Sequence, residues 1–370
     1  MTSRGLAALS RRGFLALASG ACFAAETGGR GRIFPSFLKR FPDPATEFPI
    51  LRLTDPNHTS FLAPAYARSF ARHGNFLVYA SDMSGKFEAF RLDAKTGQSR
   101  QITASENFDP RNFTLFGEDR YLAYFDGPRL IAANIAALRT REIYRIPDDS
   151  EPGFGLTVAE DAQFAALIEK RGSAHRLRLI HLADGSAAKL AEADEELRDP
   201  VPRPRRASVL YRRAGSVWLA NYDARQNYRL KLADGEIGPA TWSADGRAVL
   251  YLNYPADPRN LHAIREFTPD TNEDRLVAET SQFVAFSANA DGSVFVGASG
   301  SKASPYVLLL VRAVRRELTL AEHHASDPAM VSPIFSADSQ RIFFVTDRDG
   351  KPAIYAMSVA KFVEETASAN

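Results

Sequence analysis

The sequence predicts an all-β fold, a seven-bladed β-propeller closed by an N-terminal strand that completes the last blade. Three observations predict it. The phrase "TWSADGRAVLYL" beginning at Thr241 returns as "IFSADSQRIFFV" at Ile334. Weaker copies begin at Ser69, Phe113, Leu156, Pro202 and Phe286, making seven units. The anchors at 70 and 113, 242 and 286, and 286 and 335 are 43, 44 and 49 residues apart, a period typical of propeller blades.

Each unit reads the same way. An Asp- or Gly-containing turn leads into an apolar run such as Val249-Leu250-Tyr251 or Ile342-Phe343-Phe344-Val345. β-Branched and aromatic side chains of this kind pack well on a pleated surface. A second turn, "SDMSGK" or "TDRDGK", precedes another strand, "FEAFRLD" or "PAIYAMS". The aspartates of the repeated Ser-Ala-Asp read as turn formers, whose carboxylates bond nearby amides, and not as catalytic groups. Helical patterning is confined to a short segment around Leu130 to Leu138. The last unit runs out near Ser358 after three strands, and "FPILRLTD" (48–55) matches "QSRQITAS" (98–105), an outer strand. If the early strand completes the last unit, no long edge stays open.

The chain of 370 residues, 45% hydrophobic and 24% charged, has ample material for a core. Residues 1–25 read as a Tat-type signal peptide: a twin arginine, Arg11-Arg12, precedes an uncharged stretch from Gly13 to Ala25, too short to span a bilayer. Residues 26–45 read as a Pro/Gly-containing spacer, 46–360 as the propeller and 361–370 as a tail. The expected location is periplasmic or secreted, with no transmembrane span and a monomeric state. Cys22 is the single cysteine, so no intramolecular disulfide forms; it is a lipidation candidate, but Ser19 does not fit the usual lipobox. Cleavage after Ala25 would remove Arg4, Arg11 and Arg12 and no acidic residue, lowering the formal net charge from +2 to −1. A nucleic-acid partner then has no electrostatic support.

The segments "LRLTDPNHTSF", "RSFARHGNFLVYASDMSGKFEAFRLDAKTGQSRQIT" and "SPIFSADSQRIFFVTDRDGKPAIYAMSV" resemble oligogalacturonate lyases, with TolB-type propeller repeats as broader relatives. The resemblance covers most of residues 50–359, is shortened around Lys170 to Arg178, and includes "IYRIPDD" (143–149). It implies a seven-bladed propeller and β-elimination on pectin fragments, with Mn²⁺ held by three His and one Gln, a His base and a nearby Arg. Carried over position by position, the metal ligands fall on Gln282, Asp327, Met330 and Ser332, the base on Pro239 and the Arg on Ser216. Pro, Met and Ser offer no imidazole, and a thioether is a poor ligand for a hard divalent ion. The family's metal and catalytic residues are therefore not retained, and no cofactor is predicted.

What remains for a site is sparse. The adjacent His323 and His324 read as a solvated loop, because neighbours in a strand point to opposite faces. His58, in the "DPNHTSF" segment that leads into the first blade, reads first as a capping or turn residue and second as a residue at the channel rim. The arginine-rich run 198–213 suits an acidic saccharide, since guanidinium matches carboxylate bidentately. Arg203, between two prolines, is the one expected to face the channel, and upstream acids at 192–197 would balance the rest. Tyr66, Trp242 and Phe283 are candidate stacking surfaces, and Gln282 completes the candidate set with Arg203, Tyr66, His58 and Trp242. No nucleophile elbow, phosphate loop, His-Glu-x-x-His pair or Cys pair is present. The expected partner is an acidic oligosaccharide; the alternative is a non-catalytic TolB-like propeller that binds an envelope protein.

Overall fold

The repeated phrases fold into sheets arranged as a propeller. A computed structural model describes residues 29–257 and 259–362. The expected signal peptide with Cys22, and most of the tail, lie outside these residues. The sheets are six: two of five strands, three of four, and one of eight. The eight-stranded sheet consists of two antiparallel runs, from Glu151–Val158 to Ala187–Ala193 and from Leu197–Pro202 to Asn227–Arg229. These meet through one parallel pair, Phe154 with Arg198. Helix is almost absent, the four-residue Pro328–Val331 being the exception among the named elements.

The Ser-Ala-Asp phrase makes the expected turns. The Asp245 carboxylate accepts from the Ser243 hydroxyl (2.7 Å) and the Arg247 amide (3.0 Å), and Ser243 Oγ in turn accepts from the Ala248 amide. The Ser243 and Arg247 bonds hold the Asp245 carboxyl below the usual carboxylate range. Asp338 repeats the arrangement with Ser336 and the Gln340 amide. The segment around Leu130 to Leu138 is not helical. Arg129–Asn134 is a third strand, paired on both sides, and the Asn134 carboxamide then caps a turn through the amides of Ala136 and Ala137. Tertiary pairing overrides the alanine-rich composition there.

The ring is fastened across its ends. Pro49–Arg52 pairs antiparallel with Ala353–Ser358, Ile50 standing opposite Met357 and Arg52 opposite Tyr355. The match between the early strand and residues 98–105 holds at atomic detail. Leu53 and Ile102 each donate to the carbonyl of the neighbouring strand, Ile354 and Ala89, and the following Thr54 and Thr103 hydroxyls accept from the amides of those same residues. The segment read as a spacer carries two short strands. Ile33–Phe34 extends the first sheet and Lys39–Pro42 extends the last. Ile50, Val296, Leu309, Ile342, Phe344 and Met357 form one continuous core between the last two sheets.

His323 does not sit in a solvated loop; it is fully buried, and only His324 reaches solvent. The Ala325 amide donates to His323 Nδ1 (3.0 Å), so Nε2 carries the proton and donates to the Ser299 carbonyl (3.1 Å). Burial lowers its pKa, against the opposing effect of the Ser299 bond.

Two outcomes follow from this packing. Ile50→Ala should destabilise the protein by about 2–5 kcal/mol, read from denaturant unfolding, because it empties a core position on the closing strand. His323 binds a proton more readily unfolded than folded, so its contribution is complete above the unfolded pKa of about 6.5 and is lost as pH falls below it. His323→Gln should therefore flatten the fall in Tm between about pH 6.5 and 5, measured against the wild-type curve.

Candidate functional site

Successive first strands converge on the ring axis, and five of them break their ladders there. Pairing is interrupted between Phe108 and Phe113, Pro152 and Leu156, Arg198 and Val201, Ile237 and Ala240, and Phe283 and Ala285. A bulged residue loses its ladder partner and re-aims its side chain. Arg111, Asn112, Phe154, Gly155, Arg198, Asp199, Pro239, Val284 and Ala285 come from or border these breaks, and all line one cavity of about 490 Å³. Tyr66, Arg212, Ala329 and Ser332 complete much of its wall. A second cavity of about 510 Å³ lies toward the other ends of the same strands and shares Tyr66 and Thr241 with the first. Tyr66 thus stands at the waist of an axial channel.

Buried polar groups hold the breaks in place. Asn112 donates to Asp109 (2.8 Å) and the Gly153 carbonyl (3.0 Å) and accepts from the Gly155 amide (2.9 Å). The Thr157 hydroxyl donates to the Pro200 carbonyl at 2.6 Å, tying the two parallel segments together. Asp199 itself has φ of +54°, a left-handed conformation that Asp tolerates better than most residues.

The cavity is cationic. Arg198 and Arg212 stand directly opposite each other in the ladder, so their side chains share a face. Arg198 pairs with Asp199 at 3.2 Å, and Arg212 donates to the carbonyls of Ile237 (2.7 Å) and Gly238 (3.0 Å). Burial lowers the Arg212 pKa, with Asp199 opposing the shift. Arg111 is gripped by Asp109. The guanidiniums of Arg111 and Arg198 lie 5.0 and 5.6 Å from the Phe154 ring, which remains 41% exposed. Burial, and after it the nearby Asp199 carboxylate, raise the Tyr66 pKa well above the usual phenol value.

Of Tyr66, Arg203, Trp242, Phe283, His58 and Gln282, Tyr66 alone lines this cavity. Arg203 is buried away from it, donating to the Gly246 carbonyl and, through two nitrogens, to Asp270. Trp242 is buried beside it, bonds the Val201 carbonyl and borders the lower cavity. Phe283 is wholly in the core. His58 lies at the junction of first and last units, 3.4 Å from Asp82. Gln282 occupies a turn with φ of +57°. The upstream acids balance part of the arginine run, Glu195 pairing with Arg213. Arg111, Phe154 and Asp199 carried no repeat or motif signal; the ladder breaks alone bring them in.

The residues at the resembled family's metal positions do not fit a manganese ion. Asp327 caps the short helix by accepting from the Ala329 amide, Met330 packs against the core with Phe343, and Gln282 is not on the cavity wall. Ser332 alone of the four lines the cavity, and Pro239 stands there without a titratable group. Among the described residues no three His, Cys, Asp or Glu side chains cluster as metal ligands. Ser216 lies outside the channel, at a small cavity with Arg229 and Leu230.

Titrating Mn²⁺ into chelator-treated protein should give no saturable heat and shift Tm by less than about 1 °C, because too few donors converge to bind it. Gly155→Ala should destabilise by about 1–3 kcal/mol in denaturant unfolding, since a Cβ there meets Pro200 Cδ at 2.2 Å and φ is +125°. Gly172→Ala, at positive φ but with open space around it, should cost no more than about 1–2 kcal/mol.

No protein-family model matches the chain. It is 25% identical to the oligogalacturonide lyase of Pectobacterium atrosepticum and 25% identical to the oligogalacturonate lyase of Dickeya dadantii. Each alignment covers 89% of this chain and 98% of the relative. A solved oligogalacturonate lyase in complex with manganese superposes with a TM-score of 0.85 at 22% identity, over 91% of this chain and all of that one. The chain is thus similar to oligogalacturonate lyases along nearly its whole length and shares their fold.

Proposed function

We propose that this protein is an exported seven-bladed propeller that acts on uronate oligosaccharides, bound through their carboxylates at the channel mouth. The blade count takes the two antiparallel halves of the eight-stranded sheet as separate blades. Export rests on the twin arginine and the short uncharged stretch after it. The near full-length similarity to lyases of pectin-derived oligomers supports the substrate class.

One observation carries the reading: Arg198 and Arg212 face each other across a ladder inside a cavity. Like charges so placed repel. Asp199 is the one carboxylate that lines the cavity with Arg111, Arg198 and Arg212. Asp109 offsets Arg111 and Glu196 reaches Arg198 at 4.0 Å, both from outside the lining, so the cavity wall itself carries excess positive charge. An anionic ligand relieves that repulsion, and guanidinium is the group best shaped to hold a carboxylate. The partly exposed Phe154 ring, close to the guanidiniums of Arg111 and Arg198, offers a flat apolar surface for a sugar face. This charged, concave mouth suits a saccharide better than the broad apolar face expected of a protein-docking propeller.

Calorimetry of the mature protein with trigalacturonate tests the reading. Saturable binding that is absent with neutral galactotriose is expected. Arg198→Ala and Arg111→Ala should each weaken it by about 10- to 100-fold, the loss of a charge-assisted bond, and raising salt should weaken it further. Equal binding of the neutral sugar, or variants that bind as wild type does, would remove the basis for the proposal.

A further inference from the structure

The cavity has lost every imidazole that the resembled chemistry would use, yet its lining holds a neighbouring proton donor and proton acceptor, Tyr66 and Asp199. Resting on the uronate reading above, we infer that Asp199 and Tyr66 form the proton-transfer pair of a metal-independent elimination carried out on one face of the sugar ring. Both line the same cavity wall, beside Arg198 and Arg212. Asp199 is held there by a left-handed backbone and the close approach of Gly155, a conformation retained beside the cavity at a cost in strain.

The step balances without a co-reactant. The Asp199 carboxylate takes the hydrogen on C5, the carbon α to the uronate carboxylate. The electron pair of that C–H bond becomes the C4=C5 double bond, and the C4–O bond breaks with its electrons on oxygen. Tyr66 gives its hydroxyl proton to the leaving oxygen. The resulting phenolate then takes the proton that the neighbouring Asp199 has just gained, which restores both groups. Arg198 and Arg212 neutralise the substrate carboxylate and the enolate-like charge that develops on it. A neutral tyrosine is the form the cavity favours, since burial and the Asp199 charge both oppose its ionisation.

The placement of acid and base in one cavity lining restricts the substrate. The hydrogen removed and the oxygen expelled must be presented to the same side. In a 4-linked uronate with an equatorial C4 oxygen, as in glucuronate, they lie on one face. In galacturonate, whose C4 oxygen is axial, they lie on opposite faces. The chemistry assigned to this cavity is therefore syn elimination on gluco-configured uronates, with galacturonides bound but turned over more slowly.

The test uses chelator-treated mature protein with glucuronate- and galacturonate-containing 4-linked oligomers, followed by ultraviolet absorbance of the conjugated product and mass spectrometry. Wild type should release unsaturated product from the glucuronate oligomer at least about tenfold faster than from its epimer. Tyr66→Phe and Asp199→Asn should each lower kcat by about 100-fold or more, while calorimetric Kd stays within about threefold. Asparagine accepts positive φ and tests charge without breaking the turn, and circular dichroism confirms folding. Turnover that survives both substitutions, requires added Mn²⁺, or occurs only on galacturonate overturns the inference. Binding without turnover by wild type also overturns it, leaving the uronate reading intact. Absence of binding to every uronate overturns the reading on which it rests.

Discussion

The structure depends on the antiparallel bond between its two ends. A propeller sheet buries its faces only against neighbours, so an unclosed ring would expose the cores of two sheets and a row of unpaired backbone groups. Pro49–Arg52 against Ala353–Ser358 removes both exposures. The contact is reinforced from several directions. The Thr54 hydroxyl accepts from the Ile354 amide, and the Ser60 amide donates to the Pro352 carbonyl. Arg52 pairs with Asp349, which also accepts from the Tyr355 hydroxyl. The axial cavity exists because this closure fixes the spacing of all the inner strands at once.

Convergence at the axis sets the second constraint. The breaks in the inner ladders leave short segments whose direction is governed by local turns and buried amides. Asn112 and Thr157 act as fasteners between neighbouring breaks and carry no charge. The charged groups sit on the frame they maintain. A solved lyase shares this fold, and the inner segments are the part of a propeller free to change without disturbing blade packing.

The fold was legible in the sequence because strand periodicity and turn chemistry recur in every unit. The equivalence of Thr54 with Thr103 is readable from "RLT" and "QIT" and reappears as the same hydrogen bond in the first and last sheets. The site was less legible. A ladder break changes no residue type, so nothing in "DPRN" or "LRDP" marks Arg111 or Asp199 as facing an axis. Arg203 drew attention through its prolines, but its partner Asp270 lies 67 residues away, a pairing that only the folded ring supplies. Arg198 and Arg212 belong to the arginine run already noticed; what selects them is their register opposite each other. His323 was misplaced because two adjacent histidines look polar, whereas a buried imidazole with both nitrogens bonded is as well satisfied as one in water.

The outer edges hold a further consequence. The segment carrying Ile33–Phe34 and Lys39–Pro42 stitches the first sheet to the last around the rim, and the closing bond beside it joins groups 300 residues apart. A chain emerging from the ribosome presents Pro49–Arg52 long before its partner in the last sheet, Ala353–Ser358, exists. The middle units can collapse in order as they appear, each on its predecessor, while one edge of Pro49–Arg52 waits unpaired. Closure therefore comes last and all at once, when the final strand is made. Until that moment the two open edges are the molecule's most exposed templates for joining another chain, so the interval between synthesis and closure is the stage at which it is most prone to aggregate.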